Sequence, residues 1–156
     1  MEKVTILGIG NLLLKDDGIG VHLIEHLREL DIESTYNVEL IDGGTCIPNL
    51  LDVFMTNGRI IVLDSIKGGH APGTIYKLTP EELGTCIKET TSLHDVQVLD
   101  IMKDASLLGF EPKVVIIGVE PEEITFDLEL SPIIKEIIPQ ITNIIEEELK
   151  EYCILN

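Results

Sequence analysis

Acidic side chains follow each of the apolar segments that the sequence predicts as buried strands. In chain order they are Asp16, Asp17, Asp42, Asp64 and Glu120. Parallel strands end at the same edge of a sheet, so these carboxylates are expected to converge there. Converging carboxylates repel one another unless one protonates or a cation is shared, and oxygen ligands with an imidazole suit a divalent metal such as Ni, Zn or Mn. His94, which opens a predicted helix, is the candidate imidazole. Each acid taken alone is more simply explained as a helix cap or a turn residue.

The segment 8–20 (GIGNLLLKDDGIG) connects the first predicted strand to the first predicted helix, which starts near Ile19. Its glycines allow positive φ and a close approach of the backbone to another group. Its two adjacent acids, Asp16 and Asp17, either cap the following helix or contact a metal ion. Which of the two they do decides the function of this segment.

The elements that must position these acids follow from the pattern of apolar residues. Apolar runs at 3–8, 37–41, 59–63 and 113–117 predict buried strands, and the alternating segment 74–78 predicts an edge strand. Helical patterns begin at 19, 48, 79, 92 and 131, the last with Ser131 as N-cap and Pro139 as a possible kink. This alternation predicts a three-layer α/β/α sandwich with a mostly parallel, twisted sheet of about five strands and one antiparallel edge strand. We expect residues 1–156 to form a single domain.

Composition excludes several classes of function. The formal net charge of −17 makes nucleic acid a poor partner. No apolar run approaches the roughly 20 residues that a membrane span needs, and no signal peptide is recognisable, so a cytoplasmic protein is expected. The three cysteines, Cys46, Cys86 and Cys153, are too far apart for a thiolate metal site and are expected to be buried apolar residues. A monomer is expected because no strongly apolar exposed stripe is evident.

Three other motifs suggest different chemistry, each weakly. Gly8-x-Gly10 with Asp42 resembles a dinucleotide fingerprint, but Leu13 stands where the third glycine belongs and two acids would face the pyrophosphate. His22 and His26 match an inverted zinc-protease motif, but they fall on the polar face of the predicted helix and no third ligand is evident.

A serine nucleophile is the third possibility. Ser65 or Ser92 would pair with His94, but the chain has no G-x-S-x-G elbow to present such a serine. His70 lies in a glycine-rich segment and is expected to be exposed.

Taken together, the motifs resemble those of the hydrogenase maturation proteases, the endopeptidases that process [NiFe]-hydrogenase large subunits. The matching segments occur in family order along essentially the whole chain. They are residues 8–11 (GIGN), 16–20 (DDGIG), 42–45 (DGGT), 64 (D), 71–74 (APGT), 92–94 (SLH) and 118–121 (GVEP).

The resemblance implies a substrate, a reaction and a site. The substrate is a nickel-loaded large-subunit precursor, from which the enzyme removes a C-terminal extension. The metal-contacting and catalytic residues of the family fall on Asp17, Asp64 and His94. The nickel is the substrate's own and serves recognition, and neither a resident zinc nor an organic cofactor is implied. The alternatives are a non-enzymatic metal-binding chaperone for the same subunit and, less favoured, a dinucleotide-binding protein.

Overall fold

The fold is built on a five-stranded sheet. A computed structural model of the chain describes residues 3–45, 50–56, 58–86 and 93–155, with the backbone alone at 56, 86, 93–96, 154 and 155. The strands are β1 (Val4–Ile9), β2 (Val38–Gly44), β3 (Arg59–Ser65), β4 (Ile75–Leu78) and β5 (Lys113–Val119). Their order is β2-β1-β3-β5-β4, and only the β4–β5 pair among them is antiparallel. The predicted mostly parallel sheet with one antiparallel edge strand is confirmed.

Helices cover both faces of this sheet. The helices are α1 (Ile19–Glu29), α2 (Ile32–Thr35), α3 (Leu51–Thr56), α4 (Pro80–Cys86), α5 (Leu93–Leu107) and α6 (Pro132–Leu155). Alternate strand residues point to opposite faces, so Ile6 packs with α1 and α6 while Leu7 packs with α3 and α5. The two apolar clusters that result make the sheet the middle layer of the predicted three-layer sandwich.

The four parallel strands extend further at their carboxyl ends than the apolar runs that predicted them. β3 continues two residues beyond Leu63 because Asp64 and Ser65 remain in register with Gly118 and Val119 of β5. Asp64 therefore lies within a strand rather than after it. Because β3 is a central strand, its backbone hydrogen bonds to a neighbouring strand continue even where its side chains become polar.

The helix predictions are largely confirmed. α1 begins at Ile19 and α6 passes through Pro139, both as the patterns predicted. The helix predicted over 48–55 appears as α3, and residues 48 and 49 lie outside the described residues. Thr79 and Glu82 form a capping box at α4, in which each side chain accepts the other's backbone N–H at 3.1–3.2 Å.

The prediction of buried cysteines is wrong for Cys153, which is exposed on α6. A free cysteine in an amphipathic helix takes the environment of its helical face, which residue type alone does not determine. Cys46 and the side chain of Cys86 lie outside the described residues. Among the described helices, none combines the length and apolar character needed to cross a membrane.

Candidate active site

The candidate site lies where the direction of the chain through the sheet reverses. β1 pairs with β2 on one side and with β3 on the other, so the connections that leave β1 and β3 diverge. In open α/β sheets, the crevice beyond the strand carboxyl ends at such a point is the usual ligand site. Here β1 leads into residues 10–18, which we call the first loop, and β3 ends in Asp64 and Ser65.

Glycines let the first loop fold tightly onto the sheet. Gly10 has φ of 140°, and a Cβ there would lie 2.1 Å from the carbonyl oxygen of Asp17. A Cβ at Gly20 would lie 2.2 Å from the carbonyl oxygen of Leu63, so α1 can approach β3 only without a side chain there. The glycines that suggested a phosphate site therefore serve close packing of loop, helix and sheet.

The paired acids do not cap α1. Asp16 and Asp17 lie in a 3₁₀ turn, Lys15–Gly18, and the N-cap of α1 is Gly18, with no side-chain capping bond. The helix-cap interpretation of these acids is therefore wrong. Both side chains are instead buried, at 1% and 3% exposure, and hydrogen-bonded elsewhere.

Asp17 is linked to Asp64 through a serine. Its Oδ2 accepts the backbone N–H of Asn11 at 2.9 Å, and its Oδ1 accepts the hydroxyl of Ser65 at 3.2 Å. The backbone N–H of the same serine is 2.8 Å from Oδ1 of Asp64, which is 2% exposed. The tertiary structure thus brings two of the predicted site residues, Asp17 and Asp64, to one serine. Each of these buried carboxylates thus has a hydrogen-bond donor, as buried polar groups require.

Ser65 supports the carboxylates, whereas the sequence had suggested it only as a weak candidate nucleophile. Its hydroxyl donates to the carboxylate of Asp17. A polar residue at the carboxyl end of an otherwise apolar strand was the available sequence signal. Ser131 was not identified as a supporting residue, because its partner, Asp16, is 115 positions away in sequence.

Asp16 holds a distant loop against the first loop. Its Oδ2 accepts the backbone N–H groups of Glu122 and Glu123, each at 3.0 Å, and the hydroxyl of Ser131 at 2.7 Å. Its Oδ1 accepts the backbone N–H of Ser131 at 2.8 Å. Ser131 directly precedes α6, as predicted for a cap, but its hydroxyl hydrogen is given to Asp16. Asp16 is thus a structural acid that fastens residues 121–131, which we call the 121–131 loop.

Glu120 has a comparable structural role on the other side of the sheet edge. Its Oε1 accepts the N–H groups of Gly68 and His70, at 2.9 and 3.0 Å, and the hydroxyl of Tyr76 at 2.5 Å. The carboxylate is 6% exposed. It therefore anchors the segment that follows β3. His70 itself is exposed, as expected, with Nδ1 2.9 Å from the Tyr76 hydroxyl.

Asp42 is an exposed residue of β2 whose carboxylate accepts the N–H of Gly44 at 3.0 Å. A bond to the backbone two residues further on is a local contact typical of Asp. Asp42 therefore does not join the buried acids.

His22 and His26 lie on α1 and are half-buried rather than fully solvated as expected. The Nε2 of His22 is buried and has no hydrogen-bond partner, and burial lowers the pKa of this imidazole below its ordinary value. Nothing in the described part of the chain adds a third ligand to these two histidines. The inverted zinc-protease interpretation therefore gains no support.

His94 lies in the first turn of α5, and its side chain is outside the described residues. α5 ends at Leu107, shortly before β5 begins at Lys113. The carboxyl end of α5 is therefore near the amino edge of the sheet. Its first turn is directed toward the opposite edge, where the parallel strands end.

The described geometry supplies anionic oxygens at a buried edge. Such oxygens can contact a cation presented from outside or accept a proton from water. Within residues 3–45, 50–55, 58–85 and 97–153, no three His, Cys, Asp or Glu side chains are grouped so as to hold a metal ion. A complete ligand set therefore needs a group beyond Asp17 and Asp64.

Comparisons with known proteins agree in one assignment. The family model described as hydrogenase maturation protease matches residues 21–148. Hydrogenase 2 maturation protease of Escherichia coli (strain K12) is 33% identical over 138 residues, which cover 87% of this chain and 84% of that protein. The hydrogenase maturating endopeptidase HybD from E. coli superposes with a TM-score of 0.85 at 29% identity, covering 96% of this chain and 93% of that chain. The [NiFe] hydrogenase maturation protease HybD from Thermococcus kodakarensis gives 0.75 at 28% identity, covering 94% and 99%.

Proposed function

The chain belongs to the hydrogenase maturation protease family, a family of peptidases, and from that premise we propose that it removes the C-terminal extension of a nickel-loaded [NiFe]-hydrogenase large-subunit precursor. In this proposal Asp17, Asp64 and His94 contact the nickel that the precursor carries. The metal belongs to the substrate and identifies a precursor that is ready for processing.

One observation carries the proposal. Two buried carboxylates, Asp17 of the first loop and Asp64 at the end of β3, lie at the switch point of the sheet and are joined through Ser65. A cation that arrives with the substrate would find carboxylate oxygens of both residues at one place. Carboxylate oxygens with one imidazole nitrogen form a reasonable ligand set for Ni(II).

The third ligand is proposed from topology and the family motif. His94 is in the first turn of α5, and that turn is directed toward the edge where β1 and β3 end. The matching family histidine falls on the same residue. An imidazole from α5 would complete a set in which each ligand comes from a different element.

The peptide chemistry requires a positioned water and a proton acceptor. With nickel held at the carboxylates, the scissile bond of the precursor is placed beside them. A carboxylate then accepts a proton from the attacking water as general base, and the leaving amine takes a proton in turn. Holding the bond and the base in fixed relation is itself a large part of the rate enhancement.

The test is to incubate the protein with nickel-loaded precursor that retains its extension and to follow loss of the extension by mass spectrometry. We expect cleavage at a single bond with the wild type and none with nickel-free precursor. Asp17→Asn should slow this cleavage strongly, and Asp104→Asn is its matched control, because Asp104 is exposed near the end of α5. Binding without cleavage by the wild type would refute the peptidase proposal and favour a metal-binding chaperone.

A further inference from the structure

Three exposed apolar side chains surround the contact between the first loop and the 121–131 loop. Leu13, Phe126 and Leu128 are 55%, 88% and 60% exposed. Leu14 and Asp127 form an isolated parallel bridge, with Asp127 N–H donating to the Leu13 carbonyl at 3.0 Å and Lys15 N–H donating to the Asp127 carbonyl at 2.9 Å. The three residues flank this bridge, and we call them the apolar patch.

The backbone that carries the apolar patch is held firmly. Asp16 fastens both ends of the 121–131 loop, through Glu122 and Glu123 at one end and Ser131 at the other. Lys15 adds ion pairs to Glu123 and Asp127, at 3.2 and 3.8 Å. The exposed Phe126 and Leu128 are therefore presented on an anchored loop. Apolar side chains that stay in water add no hydrophobic stabilisation to the folded protein, and a group of them on one anchored surface is typical of an interaction site.

From these observations we propose that the apolar patch docks an apolar segment of the large-subunit precursor and thereby delivers the nickel centre to the adjacent carboxylates. This inference rests on the proposed function and deepens it. Leu13 is four residues before Asp17 in the same loop, so a polypeptide seated on the patch lies beside the candidate active site. Docking at a second point also supplies binding energy away from the reacting bond, which helps to position it.

Charge around the patch specifies the kind of partner. The 121–131 loop carries four acids and no basic residue, the acids being Glu122, Glu123, Asp127 and Glu129. Lys15 pairs with two of them and Lys135 with Glu129, so an acidic surplus remains. The surface therefore fits a partner segment that is apolar at its centre and basic at its margin. A second copy of this chain is a poor occupant, because its net charge is also −17.

The experiment compares two double variants of the full chain in the precursor-processing assay. Phe126→Ser with Leu128→Ser removes two side chains of the patch. Leu107→Ser with Leu108→Ser removes two equally exposed side chains, at 86% and 58%, from the end of α5 at the opposite edge of the sheet. Neither pair is buried, so both variants should unfold in urea at nearly the wild-type midpoint.

We expect the patch variant to raise KM for the nickel-loaded precursor by about tenfold or more, with kcat changed by less than about twofold. The Leu107/Leu108 variant should match the wild type in both constants. An unchanged KM in the patch variant, or an equal rise in both variants, would overturn the docking proposal.

Two further measurements separate this proposal from its alternatives. If the wild type binds the precursor without cleaving it, the proposed function fails, and the affinities of the two variants for the precursor still decide the role of the patch. Sedimentation of the free proteins tests self-association. A wild-type dimer that Phe126→Ser with Leu128→Ser makes monomeric, with KM unchanged, would assign the patch to a second copy and overturn the proposal.

Discussion

Asp16 and Asp17 are consecutive, equally buried and chemically identical, yet they face different parts of the molecule. Asp16 accepts four hydrogen bonds from the 121–131 loop and its end, at residues more than 100 positions away. Asp17 accepts from Asn11 of its own loop and from Ser65 at the end of β3, beside a second carboxylate. One acid therefore stabilises a loop, and the other joins Asp64 at the sheet edge. Burial alone does not distinguish a structural carboxylate from a candidate functional one.

The origin of the donors makes the distinction. Both oxygens of Asp16 are directed at donors that would lose their partner if the acid were replaced. Asp17 and Asp64 both contact Ser65, which places two buried carboxylates at one point of the sheet edge. Carboxylate oxygens gathered in this way are suitable ligands for a divalent cation.

The largest expected effect is at Asp17. Asp17→Asn should lower the single-turnover rate of precursor processing by roughly two orders of magnitude or more, the scale of losing one charge-stabilising group in an active site. The amide oxygen can still accept the N–H of Asn11, and the amide N–H can donate to the Ser65 hydroxyl oxygen, which is able to rotate and accept. The urea unfolding free energy should therefore change by less than about 1 kcal/mol. Processing at the wild-type rate would remove Asp17 from the proposed site.

Asp16→Asn should show the opposite pattern. The amide group must turn its own N–H toward the donors on one side, so we expect the free energy of unfolding to fall by about 2 to 3 kcal/mol. Ser131→Ala removes only the hydroxyl donor and should cost about 1 kcal/mol. Under conditions in which it remains folded, the Asp16→Asn variant should process the precursor at more than about a tenth of the wild-type rate, because the proposed nickel contacts are intact. Wild-type stability in Asp16→Asn would contradict the structural part assigned to this acid.

The smallest expected effect is at His22, which lies one turn into α1. Burial lowers the pKa of its imidazole, and the negative charges of Glu25 and Asp16 offset only part of that lowering. An imidazole whose folded pKa lies below its unfolded value of 6.5 takes up its proton more readily when unfolded. Its neutral form therefore contributes stability above pH 6.5, and that contribution is lost as pH falls through the lowered folded pKa.

Urea titrations between about pH 5 and pH 7 should show that the free energy of unfolding depends less on pH in His22→Gln than in the wild type.

NMR titration of His22 sharpens the comparison between Asp16 and Asp17. Asp16→Asn should lower the pKa of His22 further, because a neighbouring negative charge is removed, whereas Asp17→Asn should leave it nearly unchanged. Equal shifts in both variants would show that the two carboxylates act on His22 alike.

Much of the architecture was predictable from local pattern. Runs such as residues 59–63 have the continuous apolar character of strands buried on both faces, and Ile19 begins a helical repeat directly after a glycine. The resemblance to the family's motifs implied Asp17 and Asp64 as site residues. These features depend on residues close in sequence, or on a pattern that every member of an element repeats.

The sequence by itself thus determined the alternation of strands and helices, the single antiparallel edge strand, and the set of acids at the sheet edge. Only the tertiary structure decided what each acid does. It assigned Asp16 to the 121–131 loop, Glu120 to the segment after β3, and Ser65 to the link between Asp17 and Asp64. It also left Phe126 exposed and Cys153 on the solvent side of α6. The physical reason is that a carboxylate's function depends on its donors and its neighbouring charges. Here most of those groups come from elements that are distant along the chain and adjacent only in the folded sheet.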